Sequence, residues 1–447
     1  MATPALGTNI LQAVATYQAT SLPYLANENC ALATANTKFK NFQDMTANLG
    51  SSVLLELPAR STASAGLVVS TFGNAAQRAS TLTMNLAANS SWSATGQQYI
   101  TNASEYVDYF TDSCVHELSE YIEASLWKGN SETQTGIDGN NNAITLDYNG
   151  PYRAYWTGIT AAGGVSYVNP ITTYQELAQA LTSYRNFGAG NGIPYFVIPD
   201  TAEPAIVSNG QNQFVLDRNE TTALSWEVGN FNKAKFMRSN LLPLHTSGTL
   251  GDQGNVLTFV SIDPTGTSLT FTCDGAGTAV AGDIVTFASP SGLPASANGS
   301  LKFLTFTGHQ PSAQFVQFAV SANATSSGVS NTITLTSTVP LIYDATGTNA
   351  NANLSTALTA GMTAFVMPSH RSGLIFHPDS RFVAMPRMDS QDPFPTANQY
   401  DEDTGMSVRL TYGSQFGQNT KGWILDAIWG FTNIPEYMIR VCFPTTF

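Results

Sequence analysis

The clearest strand signal in this chain is GMSVRLTYGSQFGQNTKGWILDAIWGF, residues 405–431. In its first part Met406, Val408, Leu410 and Tyr412 alternate with Ser407, Arg409 and Thr411, the two-residue period of a strand with one face turned inward. In its second part, KGWILDAIWGF, the larger side chains fall on both faces, the pattern of a more buried strand. The short stretch SQFGQNT separates the two, so antiparallel pairing is the local default. Setting Tyr412 opposite Lys421 puts Ser407 opposite Asp426 and Arg409 opposite Ile424. Arg409 and Asp426 then become diagonal neighbours on one face, about 7–8 Å apart at the backbone and within reach of a long side chain. Asp426 lies between Ile424 and Ile428 on that face, so it is expected to be partly buried and to require a cation and hydrogen bonds. Arg409 and Asp426 form the candidate structural ion pair; the alternative is that the two charges face different surroundings.

Upstream of this pair, LSTALTAGMTAFVMPSHRSGLIFHPDSRFVAMPRM has mixed α and β character. From about Gly251 the pieces NVLTFVSI, TSLTFTC, DIVTFA, LKFLTFTG, QFVQFAV and NTITLTS are short strands spaced by Gly, Ser, Pro and Asn turns, which predicts a small all-β barrel or sandwich of about 90 residues. Before it, helices are expected from Asn102 to Gly129 and from Thr172 to about Asn186. A buried strand, IPYFVIP, and a short helix after Asp200 come next. The first helix opens on a possible capping box, Asn102 to Glu105, and its stripe is Val107, Phe110, Cys114, Leu118, Tyr121 and Ile122. Earlier still, GSSVLLELPAR and STLTMNLAA (Ser80–Ala88) read as two strands of a long antiparallel ribbon, preceded by a weakly patterned arm. The fold class is therefore α+β.

Composition narrows the function. The 447 residues call for two or three structural units. Charged residues make up 11%, against roughly 25% in ordinary soluble domains; such a surface suits a protein that buries much of its outside against copies of itself. The net charge is −13 with 18 basic residues, and only Lys38 with Lys40 and Lys233 with Lys235 lie close together, so binding to a nucleic-acid backbone is not expected. Cys30, Cys114, Cys273 and Cys442 have no paired spacing and read as free buried thiols. No basic residue precedes Lys38, no signal-like segment opens the chain, and no apolar run reaches the ~18 residues of a membrane span, so a cytoplasmic site of synthesis is expected.

Three patterns touch on chemistry. His116-Glu117-Leu118-Ser119-Glu120 has Glu120 where a zinc-protease helix needs its second His, and reads as an exposed helix face. Asp138-Gly-Asn140-Asn-Asn142 begins like a calcium loop but has Ala143 and Asn149 where Gly and Glu are required, and reads as a solvated turn. His370, Arg371, His377 and Asp379 are expected at turns around the strand GLIF, with no nucleophile motif beside them. No cofactor motif is present and no catalytic or metal residues are assigned.

The order of these elements resembles the tailed-bacteriophage major capsid (coat) protein of the Hong Kong 97-type fold. It is similar to the podophage coat proteins that carry a β-barrel insertion domain. The segments carrying the resemblance are VGNFNKAKFMRSNLLPLHTSGT (Val228–Thr249), NGIPYFVIPD (Asn191–Asp200), AGDIVTFA, and GMSVRLTYG with LDAIWGF. It implies an N-terminal arm over 1–45, a projecting β-ribbon (E-loop) over 46–100, and a long spine helix with an α+β peripheral and axial core over 101–250. An inserted β-barrel follows over 251–343, and the rest of the α+β core over 344–447. It implies a structural protein, not an enzyme. It further implies that copies of the chain form the pentamers and hexamers of a virion head, assembled in the host cytoplasm with a scaffolding protein, a portal and, as a further candidate, a decoration protein, and that the head encloses double-stranded DNA without sequence-specific binding. Two departures stand out. Only SGTLGDQGNV precedes the first strand of the insertion. No Lys occurs between Lys40 and Lys128, so the ribbon cannot form the Lys–Asn link of some relatives. The competing readings are a phage-tail or cell-surface carbohydrate-binding or -hydrolysing protein, suggested by the Asn/Thr/Ser-rich strands, and a generic intracellular oligomer.

Overall fold

The computed structural model describes residues 30–37, 52–61, 76–95, 105–188, 192–202, 227–231, 233–288, 298, 301–386, 388, 396–401, 406–414 and 420–445. Most of the expected arm, the tip of the ribbon and the Asn102 cap lie outside them. Within them the protein is mostly β-sheet with few helices.

Helix Glu105–Lys128 runs 24 residues without Gly or Pro. Its buried stripe is Val115, Leu118, Ile122 and Leu126, at spacings of three and four. The expected stripe is displaced: Tyr121 is 51% exposed and Cys114 only half-buried, because the inward face centres on the 115–126 row; the side chains of Val107 and Phe110 lie outside the described set. The helix stops at Gly129, where a Cβ would meet the Phe431 ring at 2.2 Å. The second helix, Tyr174–Asn186, starts at a capping box. Thr173 Oγ1 accepts from the Glu176 N–H at 3.3 Å, and Glu176 Oε2 accepts from the Thr173 N–H at 2.9 Å. After Asp200 the chain makes a single 3₁₀ turn, Asp200–Ala202.

Strands Ser52–Arg60 and Ala76–Thr83 form a two-stranded antiparallel ribbon whose register shifts between Leu57 and Arg60, around Pro58, which has no N–H to donate. The expected strand Ser80–Ala88 is in fact two. The chain breaks at Met84–Asn85, and Leu86–Thr95 joins another sheet along Thr420–Asn433. Gly430 permits the crossing: a Cβ there would lie 2.2 Å from the Thr83 carbonyl oxygen.

Three sheets organise the body. A mixed sheet runs Glu227–Phe231, Ala234–Ser239, Tyr195–Pro199, His370–Phe376, Met438–Phe443, Ala154–Tyr155, with Leu244–His245 added on His370–Phe376. A six-stranded sheet runs Gln317–Ala319, Ile284–Thr286, Thr363–Val366, Val256–Ile262, Ser268–Cys273, Thr332–Thr336. Its two edges meet at a Val320–Ser337 bridge, where Ser321 N–H donates to Thr336 O at 2.8 Å and Thr338 N–H to Ala319 O at 3.0 Å, so the sheet closes on itself. Phe259, Phe271, Phe287 and Phe318 fill the interior with ring centroids 5.8–6.3 Å apart. The expected strand LKFLTFTG contributes only isolated bridges at Phe303 and Leu304.

The closing sheet joins Arg381–Ala384, Thr420–Asn433, Met406–Ser414 and Thr396–Asp401, with Leu86–Thr95 on Thr420–Asn433. The expected register is corrected by two residues: Arg409 faces Asp426, Tyr412 faces Trp423, and Lys421 faces Ser414. A shift of two leaves every side chain on its face, which is why the alternation alone could not exclude it. The long strand also alternates. Trp423, Leu425, Ala427 and Trp429 are buried against the helix side, while Ile424 is 45% exposed and Asp426 and Ile428 are half-buried.

Candidate functional site

Beside the closing sheet lies an open groove of about 960 Å³, bordered by Asn89, Glu117, Tyr121, Asp138, Ile424 and the Arg409–Asp426 pair. Because Arg409 and Asp426 are direct cross-strand partners, the guanidinium meets the carboxylate side by side. Nε donates to Oδ1 at 3.1 Å and Nη2 to Oδ2 at 2.5 Å. The side chains are 14% and 21% exposed, so the pair sits at the groove wall, neither in bulk water nor in a dry core.

Two other carboxylates bordering this region, Asp138 and Glu120, are also engaged. Asp138 accepts from the N–H groups of Asn140 (2.9 Å) and Asn142 (2.7 Å). These bonds hold it below the usual carboxylate range and close the turn between strands Gln134–Ile137 and Ala143–Leu146. Glu120 Oε1 lies 3.3 Å from His116 Nε2, one helical turn away on an exposed face. Among the described residues no group of three or more His, Cys, Asp or Glu converges as a metal set, and no helix is long and apolar enough to cross a membrane.

The structure does not bring His370, Arg371, His377 and Asp379 to one place. His370 is the first residue of the strand His370–Phe376 and is fully buried. Arg371 Nη1 donates to Leu242 O at 3.2 Å. His377 caps a 3₁₀ turn, its Nδ1 accepting from the Asp379 N–H at 3.1 Å.

Sequence reading missed the buried cations. Arg153, Arg381 and Arg440 are fully buried, and hydrogen bonds to oxygen acceptors other than carboxylates carry much of their satisfaction. Arg153 Nη2 donates to Glu436 O and Met438 O at 2.9 and 3.0 Å, with its guanidinium over the Phe187 ring at 3.9 Å. Arg381 lies over Trp127 at 4.4 Å and reaches the 30–34 segment through Ala31 O and Thr34 Oγ1. Burial lowers both Arg153 and Arg381 to about 10. The signal was present: Arg440 sits in MIRVCF and Arg381 in RFVA, single charges inside short apolar strands. Glu123 was missed as well. Its carboxylate accepts from Trp127 Nε1 (2.8 Å), Ser239 Oγ (2.8 Å) and the Cys30 N–H (3.2 Å), tying three separate segments together. Arrangements of this kind position backbone and sheets.

No family model matches the chain, and no curated protein matches it. Among solved structures, the chain aligns with the capsid of Ralstonia phage GP4 at 9% identity and a TM-score of 0.45, covering 93% of this chain and 88% of that one. It aligns with the cyanophage Pam1 capsid asymmetric unit at 8% identity and 0.41, covering 91% and 87%. With the capsid structure of cyanophage P-SCSP1u the values are 11% and 0.40, covering 88% and 83%.

Proposed function

We propose that this chain is the major capsid protein of a tailed double-stranded DNA bacteriophage, a structural subunit and not an enzyme. Copies form pentamers and hexamers that close into an icosahedral head. The observation that carries the reading is the order of elements along the chain. After the short helix Cys30–Ala33 come an antiparallel ribbon, one closing-sheet strand (Leu86–Thr95), a 24-residue helix, a mixed sheet, a six-stranded sheet closed on itself, and a return to the mixed and closing sheets. On this reading Ser52–Arg60 and Ala76–Thr83 are the root of the projecting ribbon, Glu105–Lys128 is the spine helix, and the closed sheet is the inserted barrel, which includes Thr363–Val366 and so runs past the expected bound at 343.

The mechanism of assembly is non-covalent. Large apolar side chains stand exposed on separate elements, Leu54 (58%) on the ribbon and Val329 (70%) beside the closed sheet among them, and a neighbouring copy would cover them. A net charge of −13 lets the inner wall enclose DNA without adsorbing it. A scaffolding protein, a portal and, as a further candidate, a decoration protein complete the partner set, and the virion is the final location. Negative-stain microscopy of the expressed chain, alone and with its scaffolding protein, tests this. Shells, tubes or capsomers are expected, and a stable monodisperse monomer with hydrolase activity would refute it.

A further inference from the structure

The closed sheet is joined to the mixed sheet through Gln317, bonded to the Ala154 backbone, and through a second buried polar cluster that the assembly reading does not use. The turn at 280–283 enters the body, with Gly282 at φ +94 so close to Ser131 that a Cβ would lie 2.3 Å from its carbonyl oxygen. Arg440 holds this turn: Nη1 donates to Gly282 O at 3.1 Å, and Nη2 to Ser131 O at 3.1 Å and Tyr148 Oη at 2.8 Å. Asp283, fully buried, accepts from His245 Nε2 at 2.8 Å through Oδ1, and from the N–H groups of Val280 (2.8 Å) and Gly248 (3.1 Å) through Oδ2.

His370 completes the cluster. It is the cross-strand partner of His245, the ring centroids are 5.3 Å apart, and its Nδ1 donates to Pro368 O at 2.8 Å. His245 Nδ1 and His370 Nε2 are buried without a hydrogen-bond partner. The titratable and charged groups around His370 are His245 on the adjacent strand, Arg440, Cys442 and Tyr148 across the sheet, and Asp283 beyond His245. Asp252 also lies near, its carboxylate accepting from the Ser369 N–H at 2.8 Å. The fully buried Asp283 carboxylate is taken up by His245 Nε2 on one oxygen and by the Val280 and Gly248 N–H groups on the other, while Arg440 is satisfied by Gly282 O, Ser131 O and Tyr148 Oη.

We propose that this cluster is an acid-sensitive joint between the two sheets: protonating His370 adds a buried cation beside Arg440 and a proton at Nε2, which has no hydrogen-bond partner among the described residues, and the 280–283 turn is released. Burial first, then the neighbouring His245 and Arg440, hold His370 well below the ordinary imidazole range. The unfolded chain takes up this proton near about pH 6.5, before the folded one does. Stability is thus present above that pH, falls as the pH drops through it, and the loss is complete below the depressed folded value.

Amide exchange of the full-length chain at pH 7.5 and 5.5, corrected for intrinsic rates, tests the joint without requiring any shell to form. Peptides spanning 244–250 and 277–288 are expected to lose protection selectively at pH 5.5, and His370→Gln, which cannot gain charge, is expected to keep it. Unchanged protection in the native chain, loss spread evenly over all strands, or the same selective loss in His370→Gln overturns the proposal. Should His370→Gln not fold, His245→Gln serves instead. Removing the neighbouring imidazole should move the onset of the loss to a different pH, and an unmoved onset overturns the proposal.

Discussion

Asp426→Ala leaves Arg409 at the groove wall without its carboxylate, and the cost follows from where the pair sits. A fully buried pair broken on one side costs about 3–5 kcal/mol, the figure expected if Asp426 were enclosed between Ile424 and Ile428. An exposed pair is worth about 0.2–1 kcal/mol. Here the side chains are 14% and 21% exposed and make two charged hydrogen bonds, so screening by the groove's water brings the cost to about 1.5–3 kcal/mol. The protein has several hydrophobic cores, so a single global unfolding transition is a poor measure. Amide protection along Met406–Ser414 and Thr420–Asn433 is the better assay, with an expected loss of about 10- to 150-fold at 1.4 kcal/mol per tenfold. A double-mutant cycle with Arg409→Gln and Asp426→Asn isolates the coupling. A loss below about twofold, or coupling within about 0.3–0.5 kcal/mol of zero, would refute the claim that this pair fixes the register.

Three further outcomes are expected. Burial raises the Glu123 carboxyl above its ordinary value, so the folded chain keeps that proton longer than the unfolded one; thermal stability should decline as pH rises from about 4.5 through the raised value, and Glu123→Gln should flatten that slope in a pH series of melting temperatures. Gly430→Ala drives a methyl into the Thr83 carbonyl, and a cost of about 3 kcal/mol or more should appear as insoluble subunit on fractionation, whereas equal solubility would mean the crossing can shift. With no ribbon Lys and four free cysteines, assembled particles boiled in detergent without reductant should run as one band near 47.6 kDa, and a ladder of multimers would contradict non-covalent assembly.

Local periodicity was sufficient wherever one face of an element met the core. Helix 105–128, helix 174–186, the ribbon and most of the short strands after Gly251 follow from residues within a few positions of one another. The same locality explains the misses. A strand register can slip by two without moving any side chain to the other face, so the direct Arg409–Asp426 pairing needed the whole closing sheet, in which Leu86–Thr95 clamps the other edge of Thr420–Asn433.

What the sequence by itself determined is therefore most of the longer elements, the inward faces of the closing strands, the absence of Lys from 41–127, and a low share of charged residues. Tertiary structure alone decided the joints. His245, Asp283, His370 and Arg440 are spread over nearly 200 residues, and no spacing rule relates them. Each is an isolated polar residue in an apolar or turn-rich context. Burying such groups is costly unless partners are supplied, and those partners come from strands that meet only once the sheets have formed.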